Sequence, residues 1–353
     1  LFCRVGGWAM MQQQQHRPAV RLIREENPIM SIMSNAKRAL AIAAAAATAL
    51  DGRLGSSNAA SGKSDSSGAA SSGKIEVVAS INQWGSVAED LGGSNVEVTN
   101  IMTKTNVEAH DYEPTSQDVA KFGTAKVAVV NGADYDPWAT KAAQPTKATL
   151  VTAAETAGIK EGDNPHVWFS AKVRSNTADA ITAAYQKADP SHKDDYAKLN
   201  KEWHAKEDQL ESKIKETSAK TEGLPYAATE SVAWYLADDL KMTDATPKGY
   251  AQASANESEP TPADIKDFQD TLKAGFIKMF VFNSQEANST TDQITGAAKD
   301  ANVPIVELAE QMPKQYTNLL DWMSALVDQF AAAHNGSYRI TVRAPFTNFI
   351  MAK

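Results

Sequence analysis

From Lys74 onward the chain alternates between two hydrophobic rhythms. "KIEVVAS" alternates and then becomes wholly apolar, the pattern of a buried strand. Ile81, Trp84, Val87, Ala88 and Leu91 then recur at helical spacing, and Gly92 and Gly93 supply the stop. "VEVTNIM", residues 96–102, alternates as a second strand. Thr115 is placed as a helix N-cap, with Asp118 three residues on complementing the helix dipole, and the helix should run to about Phe122. "KVAVVNG", residues 126–132, reads as another buried strand. Strands alternating with helices predict a mostly parallel sheet built from βαβ units.

The pattern changes at Pro190. Tyr196, Leu199, Trp203, Leu210 and Ile214 form a single apolar stripe within a polar segment that reaches about Gly223. Between Lys193 and Glu222 stand seven Lys and eight Asp or Glu, and Asp194–Lys198, Glu202–Lys206 and Glu211–Lys215 are acid-to-base pairs at i,i+4. This predicts one long solvated helix of about 25 residues, roughly 38 Å. A helix of that length can join two lobes, and α/β patterning resumes after it. The plainer alternative is a surface helix within one domain.

Beyond it, "LPYAATES" reads as a strand entering a loop and "VAWYLADDL" as helix. Residues 261–275 have a Thr cap, Pro262 at the first helical position and Gly275 at the end. "KMFVFNS" and "VPIVELA" are buried strands, and "NLLDWMSALVDQFAAA" is a closing helix. The expected fold is α/β, with two lobes (74–189 and 224–332), each a mostly parallel sheet flanked by helices, joined by one long rigid helix (190–223).

The ends read differently. The basic pair Lys37–Arg38 precedes a twelve-residue apolar run, 39–50, which fits a signal-peptide core and is too short to span a bilayer. Residues 1–50 are therefore expected to be an N-terminal extension and signal peptide, and 51–73 a flexible Ser/Gly/Ala linker. Signal, tether and folded domain together predict an exported protein at the cell surface or tethered to a membrane. A bacterial lipoprotein would carry a Cys just after the apolar run, where this sequence reads "LDGRLGSSN". Residues 333–353 fit no element of the plan.

Net charge is -8, which argues against general nucleic-acid binding, since neutralising phosphates needs a basic patch. The one cysteine, Cys3, excludes a thiolate cluster, so a metal site must use His and carboxylates. Of six histidines, His16 precedes the signal, His192 and His204 belong to the charged helix, and His334 follows the closing helix. His110, in "NVEAHDYEPTSQD", and His166, in "GDNPHVWFSA", remain, each between turn signals and packed structure.

The set "ASINQW…DLGGSNVEVTNIM…EAHDYEPTSQDVAKF…VVNGADYDPW…NPHVW" resembles the metal-binding solute receptors of bacterial ABC importers, the manganese and zinc receptor family. The resemblance covers about residues 74–332. It implies that His110 and His166 are metal ligands, that Glu230 in "ATESVAWYLADDL" is the third, and that a carboxylate past the last strand is the fourth. Glu310 best matches that position, with Glu307 as the alternative. Two imidazoles and two carboxylates would neutralise a divalent cation: Mn²⁺, Zn²⁺ or Fe²⁺. Glu at 230, and no His-rich insertion between His110 and Thr115, tilt the expectation to Mn²⁺. The other ring nitrogens need partners of their own, and Asp111, Glu113 and Asp163 lie nearest in sequence.

The implied function is non-enzymatic. A monomeric extracytoplasmic receptor captures the cation between its lobes and delivers it to a membrane permease, with a small lobe movement on loading. An adhesin role has also been proposed for such receptors. The competing readings are an iron-chelate or corrinoid receptor of the same fold, and a metal-dependent hydrolase, for which HExxH is absent.

Overall fold

The computed structural model describes residues 73–107, 110 and 112–334. The expected leader, most of the linker and the tail beyond His334 lie outside these.

The first half holds β1 (Ile75–Ile81), α1 (Asn82–Gly92), β2 (Val96–Met102), α2 (Ser116–Thr124), β3 (Val127–Val130), α3 (Pro137–Ala143), β4 (Thr149–Thr152) and α4 (Ala171–Ala188). Its strands form one parallel four-stranded sheet in the order β2-β1-β3-β4. After α5 (Lys193–Thr221) come β5 (Pro225–Ala228), α6 (Trp234–Asp239), β6 (Thr243–Asp244), α7 (Lys248–Ala255), α8 (Pro262–Lys273), β7 (Met279–Asn283), α9 (Ser289–Asp300), β8 (Ile305–Leu308) and α10 (Leu319–His334). Here the strands form a second parallel sheet in the equivalent order, β6-β5-β7-β8.

The local rules read in the sequence operate as expected at the helix starts. Thr115 accepts the Asp118 N–H while Asp118 accepts the Thr115 N–H, a reciprocal cap on α2; Thr261 and Asp264 repeat it on α8. Differences lie where the hydrophobic signal is weak. β6 is two exposed residues at a sheet edge, and β4 is a four-residue edge strand, so neither carries a periodic pattern. The expected Glu211–Lys215 pairing gives way to an inward contact: Glu211 lies 3.0 Å from Arg174.

Each sheet is covered on both faces, as parallel sheets require. Phe122, Ala128 and Ala139 fill the outer face of the first sheet, and Tyr250, Phe268 and Phe280 that of the second. The inner faces share one continuous core. It runs from Val77 and Trp84 through Trp203, Leu210 and Ile214 of α5 to Val281, Val306 and Phe330. α5 is therefore packed along its apolar stripe, 29 residues long, against both halves.

Arg174 is fully buried in this frame. Its Nη1 donates to the carbonyls of Trp168 (3.2 Å) and Phe169 (2.9 Å), and its Nε to Glu207 of α5 (3.0 Å). One guanidinium thus faces two carboxylates. Burial drives Glu211 up to about 7, against the pull of Arg174 and with the help of the Glu207 charge.

Two outcomes follow from this cluster. Arg174→Ala leaves the buried Glu207 carboxyl and the Trp168 and Phe169 carbonyls without their donor, so urea unfolding should show a loss of about 3–5 kcal/mol. The Glu211 carboxyl contributes stability that is fully present below its ordinary value of 4.5 and is lost as pH rises through about 7. Glu211→Gln should therefore flatten the fall of the urea midpoint across that window.

Candidate metal centre

In an open parallel sheet, side chains converge outside the carboxyl ends of the strands, at the point where the chain order reverses. In the second sheet that point lies between β5 and β7. Glu230 follows β5 by two residues, Asn283 ends β7, and Glu310 stands two residues past β8. In the first half, His110 lies in the loop after β2 and Tyr135 in the turn after β3. His166 leads a short 3-10 turn, Val167–Phe169, whose side chains are fully buried.

These elements bring His110, His166, Glu230 and Glu310 together, with one ligand atom from each lying within 4.8 Å of all the others. His166 Nε2 is 3.4 Å from Glu230 Oε1 and 3.9 Å from Glu310 Oε2, and His110 Nε2 is 3.9 Å from Glu230 Oε1. Glu307 is not in this group. It is exposed on β8 and lines a separate cavity with Tyr316 and Trp322.

The group is held by donors that the sequence reading did not single out. Asn283 Nδ2 donates to Glu230 Oε2 (2.7 Å) and to Glu310 Oε1 (3.0 Å), bridging the two carboxylates. Tyr135 donates to Glu310 Oε2 (2.7 Å) and accepts from Gln311 Nε2 (2.9 Å). The turn that delivers Tyr135 runs through the left-handed region at Gly132, Ala133 and Asp134, with φ of 78°, 51° and 65°. Buried Asp136 holds that turn by accepting the N–H groups of Asn131 (2.7 Å) and Gly132 (2.8 Å). Gln83 of α1 donates to the Glu310 carbonyl at 2.6 Å, and Asn82 donates to Met312 at 2.8 Å.

The ring nitrogens facing away from Glu230 and Glu310 also have partners. His166 Nδ1 lies 2.9 Å from Asn164 Oδ1, which also accepts the His166 N–H at 3.0 Å. Asp163 instead accepts the Lys160 N–H. His110 Nδ1 lies 3.4 Å from Glu257 Oε1, and Glu257 is distant in sequence. Asp111 lies outside the described residues.

Electrostatics separate the two acids. Burial alone would raise Glu230, but the His166 imidazole beside it, with Asn283 and His110, holds it down at about 2. Burial and then the Glu230 charge push Glu310 upward, against His166 and Tyr135. Two carboxylates this close favour one charge over two unless a cation lies between them.

Comparison with known proteins adds the lineage. The family model of the periplasmic component A of zinc-uptake complexes matches residues 77–333. The chain belongs to this family. The high-affinity zinc uptake system protein ZnuA of Bacillus subtilis is 24% identical over 236 residues, covering 61% of this chain and 72% of that protein. The manganese ABC transporter substrate-binding lipoprotein PsaA of Streptococcus anginosus is 25% identical over 254 residues, covering 67% and 79%. The solved periplasmic zinc-binding protein TroA of Treponema pallidum shares the fold, with a TM-score of 0.62 at 16% identity over 74% of this chain and 99% of that one. Family membership agrees with the two parallel sheets and the long helix between them.

Tyr135→Phe tests the packing of the site without any ligand. It strips a buried acceptor and a buried donor of their partner, so denaturant unfolding should lose about 1–3 kcal/mol.

Proposed function

We propose that this chain is the extracytoplasmic receptor of a metal ABC importer. It captures one divalent transition-metal ion on His110, His166, Glu230 and Glu310 and hands it to a membrane permease. The cargo is Mn²⁺ first, then Zn²⁺, with Fe²⁺ accommodated by the same donors. The observation that carries this reading is the convergence of two imidazoles and two carboxylates from four separate stretches of chain.

The donor set suits a borderline cation. Two carboxylates match its charge, and two imidazoles supply softer nitrogen. Such a set binds Zn²⁺ more tightly than Mn²⁺ by the ordinary order of affinities, so cargo identity depends on which ion is available. The oxygen half of the shell and the short path from His110 to Thr115 favour manganese. Relatives named for zinc and for manganese support both ions as cargo.

The receptor works by binding alone. Four protein ligands close a tetrahedral shell, whereas a catalytic zinc keeps a position for water. Residues 1–50 serve as the leader and 51–73 as the tether. Residues 74–189 and 224–332 are the lobes, and 190–223 the bridge. Among the described residues no helix is long and apolar enough to cross a membrane.

Calorimetry on metal-stripped protein tests the reading. One tight site for Mn²⁺ and for Zn²⁺ is expected, weakened by orders of magnitude in His110→Ala, His166→Ala, Glu230→Ala and Glu310→Gln, and unaltered in Glu307→Gln. Unchanged affinity in His110→Ala would sink the site. Elemental analysis of protein taken from its native compartment identifies the cargo.

A further inference from the structure

Both imidazoles turn Nε2 toward the carboxylates, yet their second nitrogens are held in different ways. His166 is held from within its own turn by Asn164 and is buried. His110 is held from across the cleft. Glu257, which faces its Nδ1 at 3.4 Å, lies two residues past the end of α7, in the half that carries the second sheet. Its side chain is 71% exposed, where that of His110 is 14%.

The backbone at Glu257 supplies an independent observation. Its φ is +50°, the left-handed conformation that glycine ordinarily provides after a helix. The Glu257 N–H donates to the Ser254 carbonyl and that of Ser258 to the Ala253 carbonyl, each at 3.0 Å, which locks the residue in that geometry. Lys241 after α6 and Asn302 after α9 close their helices in the same conformation, so the geometry is an ordinary helix ending; at Glu257 it fixes the direction in which the side chain leaves the backbone. Here the side chain stands on the wall of a cavity of about 380 Å³ that opens beside His110 and Glu230.

We propose that Glu257 is a positioning residue for His110. It accepts the Nδ1–H, which leaves Nε2 as the ligand atom, and it ties the loop after β2 to the turn after α7 across the mouth of the site. A carboxylate on the far nitrogen of a ligating imidazole fixes its orientation and raises its basicity. Closing the 3.4 Å contact by a few tenths of an ångström makes it a full hydrogen bond. Glu257 thereby sets how fast the cation leaves. Because it is exposed, a docking partner can reach it. This rests on the proposed capture of a cation at His110.

The test is the release of Zn²⁺ from the loaded full chain into excess chelator, timed by stopped flow. Glu257→Ala and Glu257→Gly should release the ion about 10–100-fold faster, and Glu257→Gln, which keeps an acceptor oxygen, should recover most of the wild-type rate. Glu257→Gly also relieves the left-handed strain, so its metal-free form should melt higher than the wild type. Faster release with a higher melting temperature is an outcome that loss of structure does not produce. Glu259→Gln, an exposed acid of the same segment, should stay within about twofold of wild type. Wild-type rates in both the Ala and Gly variants would overturn the proposal, as would an equal acceleration in Glu259→Gln. If the wild type itself binds no Zn²⁺ or Mn²⁺, the receptor reading falls as well; if it binds and the variants behave as wild type, only the role of Glu257 falls.

Discussion

Two carboxylates that share one asparagine, Glu310 fully buried and Glu230 largely so, are the constraint on which the rest of the site depends. Asn283 donates to both Glu230 and Glu310, placing one amide between the two carboxylates. Neutral dipoles of this kind reduce the repulsion without cancelling it. The result is one acid held down and one pushed up. Everything around the pair preserves that arrangement: Tyr135 on the second oxygen of Glu310, Gln83 on its carbonyl, and the imidazole of His166 against Glu230. A divalent ion held there, as proposed, would relieve the repulsion directly.

That relief can be delivered only if the four groups stay where they are, and the frame provides for this. The inner faces of both sheets pack on α5 through one unbroken core, so a wide hinge opening would expose Trp203, Leu210 and Ile214 along with their neighbours. Buried Arg174 pins the same helix to the carbonyls that follow His166. His166 is thus held within a buried turn, whereas His110 is partnered from across the cleft by exposed Glu257.

Much of the frame was legible in the sequence because it rests on local rules. The strands in "KIEVVAS" and "KMFVFNS", the Thr115–Asp118 cap and the apolar stripe of the long helix each depend on neighbours within a few positions. The four converging side chains became legible through a resemblance, not through periodicity. Proximity along the chain then misled: Asp163 binds its own turn, while Asn164 and distant Glu257 face the imidazoles. Asn283 gave no motif, although the end of a central parallel strand is where such a residue belongs. Arg174 was hidden because an arginine in a helix ordinarily reads as surface, and only the packing shows that Glu207 and Glu211 turn inward to meet it.

The order of these residues along the chain has a consequence for how the molecule matures. His110 and His166 are made first, and Glu310 arrives 200 residues after His110. A chain that has not yet reached β8 therefore offers at most His110, His166 and Glu230, one carboxylate short of the full set. The complete cage exists only once β8 has paired with β7. Under the proposed capture, a fully liganded ion therefore reports a fold completed through its last strand.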